Sequence, residues 1–258
     1  MNGLFNYGDF HIISSVSPVS FSFSFIHNEK TITIAAAKKG DLDVTAGSLS
    51  NFSDMYLVNV VFGAGSGYNF GRWCVDGSEM NVDTVFWADP SCMILHQSFF
   101  EMTFVPEGTI CLDESVILAA NPKGTPMVAG FGGNNVIKVG NADTDGISYD
   151  STLLRIGDYQ FEIGPGYDFD KFSFENDQSE ANVLVISYPD PAGNGLGHEC
   201  PCECDFDILP ERAPQEEDFK TPSDDEGSTT QGYPETEETT AQVEPNTEED
   251  TECYILNM

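Results

Sequence analysis

The densest set of residues able to do chemistry is His198-Glu199-Cys200-Pro201-Cys202-Glu203-Cys204. Side chains alternate in an extended segment, so Cys200, Cys202 and Cys204 fall on one side, where thiolates and the His198 imidazole could hold zinc. Zinc sites ordinarily join two Cys-x2-4-Cys pairs distant in sequence, because one short segment rarely wraps four tetrahedral positions. The competing reading, a redox-sensitive or simply exposed hinge, is therefore the stronger one. The remaining cysteines are Cys74, Cys92, Cys111 and Cys253, which makes seven in all. An odd and scattered set is unlike the dense framework of a small secreted scaffold, and it reads as mostly free thiols.

A second candidate is Asn141-Ala142-Asp143-Thr144-Asp145-Gly146, with oxygen ligands at alternate positions before a glycine, as many calcium loops begin. An EF-hand-type loop then needs an acidic twelfth residue. Thr152 stands there, and Asp150 comes two positions early. Calcium on Asn141, Asp143 and Asp145 is thus weighed against a plain acidic glycine turn between strands, which the missing ligand favours.

Patterns for hydrolysis or nucleotide binding are missing. Gly63-Ala64-Gly65-Ser66-Gly67 is not a nucleophile elbow, and neither it nor Gly130 to Gly133 is followed by the Lys and Ser or Thr of a phosphate loop. Asp168 and Asp170 resemble an acid and base pair, but in a chain with 43 acidic residues such pairs arise by chance. His11, His27, His96 and His198 have no recurrent spacing. The sequence reads as non-enzymatic.

The elements that must position these residues are strands. Ser20 to Phe25 alternates Ser and Phe, placing Phe21, Phe23 and Phe25 on one face. After Asn28-Glu29, Thr31 to Ile34 resumes the two-residue period, so the pair reads as a hairpin. Further β-rich runs cover Tyr56 to Phe62, Val82 to Ala88, Phe99 to Val105, Ser115 to Leu118, Val136 to Val139, Tyr159 to Ile163, Lys171 to Phe174 and Asn182 to Tyr188. Sustained helical periodicity is lacking. Many short strands between Gly, Asn, Asp and Pro predict an all-β fold, a β-sandwich or jelly roll. We divide the chain into a sandwich at 1–140, further strands at 141–191, a Cys-rich hinge at 192–204 and a disordered acidic tail at 205–258.

The formal charge is −33. Residues 205 to 252 hold 17 acidic and 2 basic side chains, a net −15, which leaves −18 for the rest. Such a field repels phosphate backbones and anionic lipid heads, so nucleic acid and membrane surfaces are poor partners, and neither nucleic acid binding nor membrane insertion is expected. The sequence has no apolar run near the roughly 20 residues of a membrane span and no basic region followed by an apolar block in its first 25 positions.

Five stretches resemble a cohesin-type module of bacterial cell-surface scaffolds, a jelly-roll sandwich related to carbohydrate-binding modules. They are Phe21 to Ile34, Gly40-Asp-Leu with Ala46-Gly-Ser-Leu, Val85 to Pro90, Phe99 to Phe104, and Ala119 to Gly124 running to Asn135-Val-Ile-Lys-Val. Together they span roughly residues 15 to 139, about half the chain. The resemblance implies a non-catalytic extracellular or cell-surface module that binds a calcium-loaded dockerin-like partner or a polysaccharide, with the tail as a linker. Two alternatives rest on the residues alone. One is a structural β-sandwich subunit of a virion or appendage; the other is an acidic chaperone that masks basic proteins.

Overall fold

The computed structural model describes residues 3–14, 18–83, 85–87, 91–102, 108–120, 122, 124–142, 146–193, 195–206 and 253–254. Strands follow one another around three faces. The first turn is β1 (Gly3–Asn6), β2 (Phe10–Ser14) and β3 (Val19–Phe23), and the second is β4 (Phe25–Asn28), β5 (Ile32–Ala36) and β6 (Leu42–Ala46). Next come β7 (Leu49–Asn51), β8 (Asp54–Val58) and β9 (Val60–Ala64), then β10 (Gly67–Asn69), β11 (Arg72–Asp76) and β12 (Glu79–Val82). The fifth turn is β13 (Val85–Trp87), β14 (Cys92–His96) and β15 (Phe99–Met102). β16 (Thr109–Leu112), β17 (Ile117–Ala120), β18 (Met127–Ala129) and β19 (Val136–Gly140) continue two of the faces.

Each strand pairs in parallel with its counterpart one turn away, so β1-β4-β7-β10-β13 make face A, β2 to β18 face B and β3 to β19 face C. The molecule is a parallel β-solenoid of about six turns. The sandwich or jelly-roll expectation is therefore wrong, and so is the cohesin resemblance that rested on it. The reason is physical. Two-residue alternation reports that one side of a strand is buried, and it is the same whether the next strand in the sheet lies one hairpin or one full coil away.

The expected hairpin shows this directly. β3 lies on face C, β4 on face A and β5 on face B, with a bend at Ser24. Phe21 and Phe23 alternate with exposed serines, but Phe25 starts a new strand in which Ile26 and Asn28 point inward. The core is one column of apolar side chains from all three faces, including Leu49, Leu57, Phe62, Trp73, Phe100 and Leu118, each fully buried.

Two corner devices hold the turns in register. Between faces B and C the chain turns through left-handed residues, Asn59, Gly77, Gln97 and Ser115, at φ 57, 57, 46 and 51°. Their N–H groups continue the ladder: Asn59 donates to Asp76 O at 2.9 Å and Gly77 to His96 O at 3.0 Å. After face A, Asn6, Asn28, Asn51 and Asn69 stack as a buried column, each amide donating to the next side chain at 2.7, 2.7 and 2.8 Å.

Antiparallel strands close one end. β20 (Ser148–Asp150), β21 (Leu153–Ile156) and β22 (Tyr159–Glu162) extend face B, while β23 (Ser173–Asn176) and β24 (Val183–Ser187) extend face C beside β19. At the other end β25 (Cys253–Tyr254), from the expected disordered tail, pairs with β2. The remainder of that tail, residues 207–252 and 255–258, lies outside the described residues.

Candidate functional site

Cys74, Cys92 and Cys111 sit on the outer side of face B in three successive turns, on β11, β14 and β16. Their sequence neighbours point inward: Trp73, Val75, Met93, Ile110 and Leu112 are buried in the core. Alternation thus throws the sulfurs outward. Residues 195–206 cross these turns as a strap, and three disulfides fasten it: Cys111–Cys200, Cys92–Cys202 and Cys74–Cys204, with Cα separations of 5.6, 6.6 and 5.7 Å.

Two extended residues span about 6.6 Å, whereas adjacent turns are about 4.8 Å apart. The register absorbs the surplus. Cys74 and Cys111 share one column through Ile94, and Cys92 stands in the neighbouring column with Arg72 and Thr109, so the strap zigzags as it climbs. Cys202 and Cys204 also pack on the small apolar patch of Ile94, Cys111 and Ala129.

Polar contacts pin the strap further. Arg72 donates to the Glu203 carbonyl at 2.6 Å while its other nitrogens grip the Asp54 carboxylate at 3.1 and 2.8 Å, and that pairing holds the guanidinium above its ordinary pKa. His198 meets Glu162 at 3.1 Å. Gly197 turns at φ +78° and donates to Pro165 O at 2.7 Å.

The expectation of free thiols is thereby corrected for six of the seven cysteines. Among the described residues, one group of three potential metal ligands comes within 4.8 Å: Cys111, Cys200 and Cys202. All three sulfurs are in disulfides, as is that of Cys204, so zinc on Cys200, Cys202 and Cys204 would require their reduction. In the calcium candidate, Asn141 is left-handed at φ 54° and donates its N–H to Asn182 O at 2.7 Å. Asp143 and Asp145 lie outside the described residues.

A groove of about 920 Å³ runs beside the strap, with Asp113, Glu114, Asn135, Glu199 and Phe206 on its walls. At its rim both ring nitrogens of His96 face carboxylates, Asp113 at 3.0 Å and Asp76 at 3.9 Å. Burial pushes the Asp76 carboxyl up, against the pull of His96.

Face A is different in character. Its strands read GLFN, FIHN, LSN, GYN and VFW, with no charged side chain. Exposed aromatic rings gather along it: Phe5 and Tyr68 within β1 and β10, and Tyr7, Phe52 and Phe70 just past β1, β7 and β10, after the ladder asparagines, are 58, 46, 63, 47 and 46 % exposed. They form a ribbon across the turns. Phe5 lies 4.7 Å from Phe25 and 5.9 Å from His27, His27 lies 5.3 Å from Phe52, and Phe52 stacks on Phe70 at 5.0 Å with planes 5° apart.

Disulfides that staple three successive turns fit an oxidising compartment, and the sequence comparison points the same way. The sequence matches the model of the family described as hyphally regulated cell wall protein N-terminal over residues 4–210. This chain belongs to that family. No curated protein matches it. Membership in a cell wall protein family points to a cell-surface or extracellular location and to a structural, non-enzymatic role. The match ends at residue 210, so this cell wall domain takes in the strap as well as the coil.

Sequence reasoning missed the stapled cysteines and the ribbon, though both leave a trace. Cys74, Cys92 and Cys111 recur at the spacing of one turn, and Cys200, Cys202 and Cys204 at the spacing of one face. Asn51-Phe-Ser-Asp54 and Asn69-Phe-Gly-Arg72 repeat one turn apart, carrying a ladder asparagine and a ribbon phenylalanine together.

Proposed function

We propose that this cell wall domain is a non-catalytic display module, a covalently braced rod that holds an outer surface in place under the stresses of a wall. The observation that carries the reading is the strap, which ties three consecutive turns to one segment through Cys111–Cys200, Cys92–Cys202 and Cys74–Cys204. A disulfide across a loop of this length restricts the unfolded chain by about 4–5 kcal/mol, with less for each further staple because the loops overlap. Stapling also suits an oxidising compartment. The dockerin-like partner lost its ground when the cohesin resemblance fell.

The test is to display the chain on a cell surface as wild type and as C74S/C92S/C111S. The wild type is expected to stay in the wall fraction and resist added protease; the variant is expected to be clipped within 195–206, with an unfolding midpoint roughly 10 °C or more lower. A C92S/C202S variant, which keeps two staples, should fall between them. Equal retention and equal protease resistance of all three would defeat the bracing role.

A further inference from the structure

We infer that face A is a carbohydrate-binding surface, taking one neutral polysaccharide chain laid along the solenoid axis over the aromatic ribbon. The first ground is periodicity. Rings recur turn after turn, Phe5 and Tyr7 on the first, His27 on the second, Phe52 on the third, Tyr68 and Phe70 on the fourth. Adjacent rings stand 5.0–5.9 Å apart from Phe5 through His27 and Phe52 to Phe70, which makes a continuous row. A polysaccharide is itself a periodic ligand. Each sugar has a flat face rich in C–H groups that packs on an aromatic π-face, and hydroxyls at its rim that seek hydrogen bonds. Ser50 stands in register between His27 and Tyr68, a hydroxyl set within the row.

The second ground is charge. The chain carries 43 acidic and 10 basic side chains, yet none of them falls within the five strands of face A; just past those strands, in the column of Tyr7, Phe52 and Phe70, the second turn places Glu29, whose carboxylate meets His27 at 2.9 Å. Two copies, each at −33, repel one another, which works against a second copy as the occupant, and a polyanion meets the same field. A neutral glycan meets no such barrier, and burial of half-exposed rings is favourable for it. The site goes beyond the bracing role: the strap is on face B, so substitutions on the two faces fail separately.

The experiment uses the full chain, wild type and Phe52→Ala/Phe70→Ala, with an insoluble β-glucan, chitin and a neutral mannan as probes. Wild type is expected to be retained on at least one polymer, at low and high salt alike, and to be released by soluble fragments of that polymer. The double variant should bind about tenfold more weakly. Because both rings are at the surface, its unfolding midpoint should match wild type. Phe70→Trp should keep binding and report it as a shift of emission when polymer is added. The proposal is overturned if wild type is retained on none of the three, if the double variant is retained equally, or if Phe70→Trp emission stays fixed. Concentration-dependent dimerisation abolished by the double substitution, without glycan retention, would give the face to a second copy instead.

Discussion

Asn51 is fully buried in the middle of a column of like residues, accepting from Asn28 and donating to Asn69. A side-chain amide is one of few groups that can both accept and donate along such a line, so the stack propagates without an unmatched polar atom until Asn69 reaches the Gly71 carbonyl. Asn51→Ala cuts the column: Asn28 loses one of its two acceptors, keeping Asp54 O, and Asn69 Oδ1 keeps only the Gly71 N–H at 3.3 Å. We expect a loss of about 2–4 kcal/mol in urea unfolding, with about half of that for Asn6→Ala at the column's end. A change within about 0.5 kcal/mol for Asn51→Ala would mean the ladder is decorative.

At the level of strands, about half of the pieces were visible in the sequence, their partners were not, and the cysteine-bearing β11, β14 and β16 were among the strands left unread. Val136 to Val139, Tyr159 to Ile163 and Asn182 to Tyr188 were read as strands and correspond to β19, β22 and β24. What alternation cannot encode is the face on which the next strand lies, and the turns differ in length: the ladder asparagines are 22, 23 and 18 residues apart. That irregularity hides the coil from a search for a fixed period. The cysteines were misread for the same reason, since turn spacing has meaning only once the turns are known. How the end strands are secured leads to a pH prediction. Lys138 on β19 pairs with Asp177, just past β23, and bonds from Lys138 and then from Ser179 hold that carboxyl well below its usual range. The pairing also raises the lysine. The carboxylate's contribution is present above about pH 4 and is lost as pH falls below that; the lysine's is present below about pH 10 and is lost above. Asp177→Asn should therefore lower the unfolding midpoint most between about pH 5 and 9, with the gap to wild type closing towards either extreme. A gap that is constant with pH would show that the ion pair is not its cause.

The whole molecule is a one-dimensional stack in which each turn touches only its neighbours, so local stability need not be uniform. The strap spans the turns of β11, β14 and β16, and antiparallel strands cover the end beyond β19. The turn of β1, β2 and β3 has neither, with only the two-residue β25 beside β2. Hydrogen exchange should find the slowest amides in β11 and β14 and the fastest strand amides in β1 to β3, and reduction should level the profile. Uniform protection before and after reduction would contradict a stack braced at its centre. The direction of the strap has one more consequence. It travels back along the coil, from Cys111 to Cys92 to Cys74, against the order in which those turns are made. None of its three sulfurs leaves the ribosome until every turn it fastens has been synthesised. A coil wound one register out would present its cysteines to the wrong places, so the clasp closes only on a correctly wound rod and acts as a proofreader of its own folding.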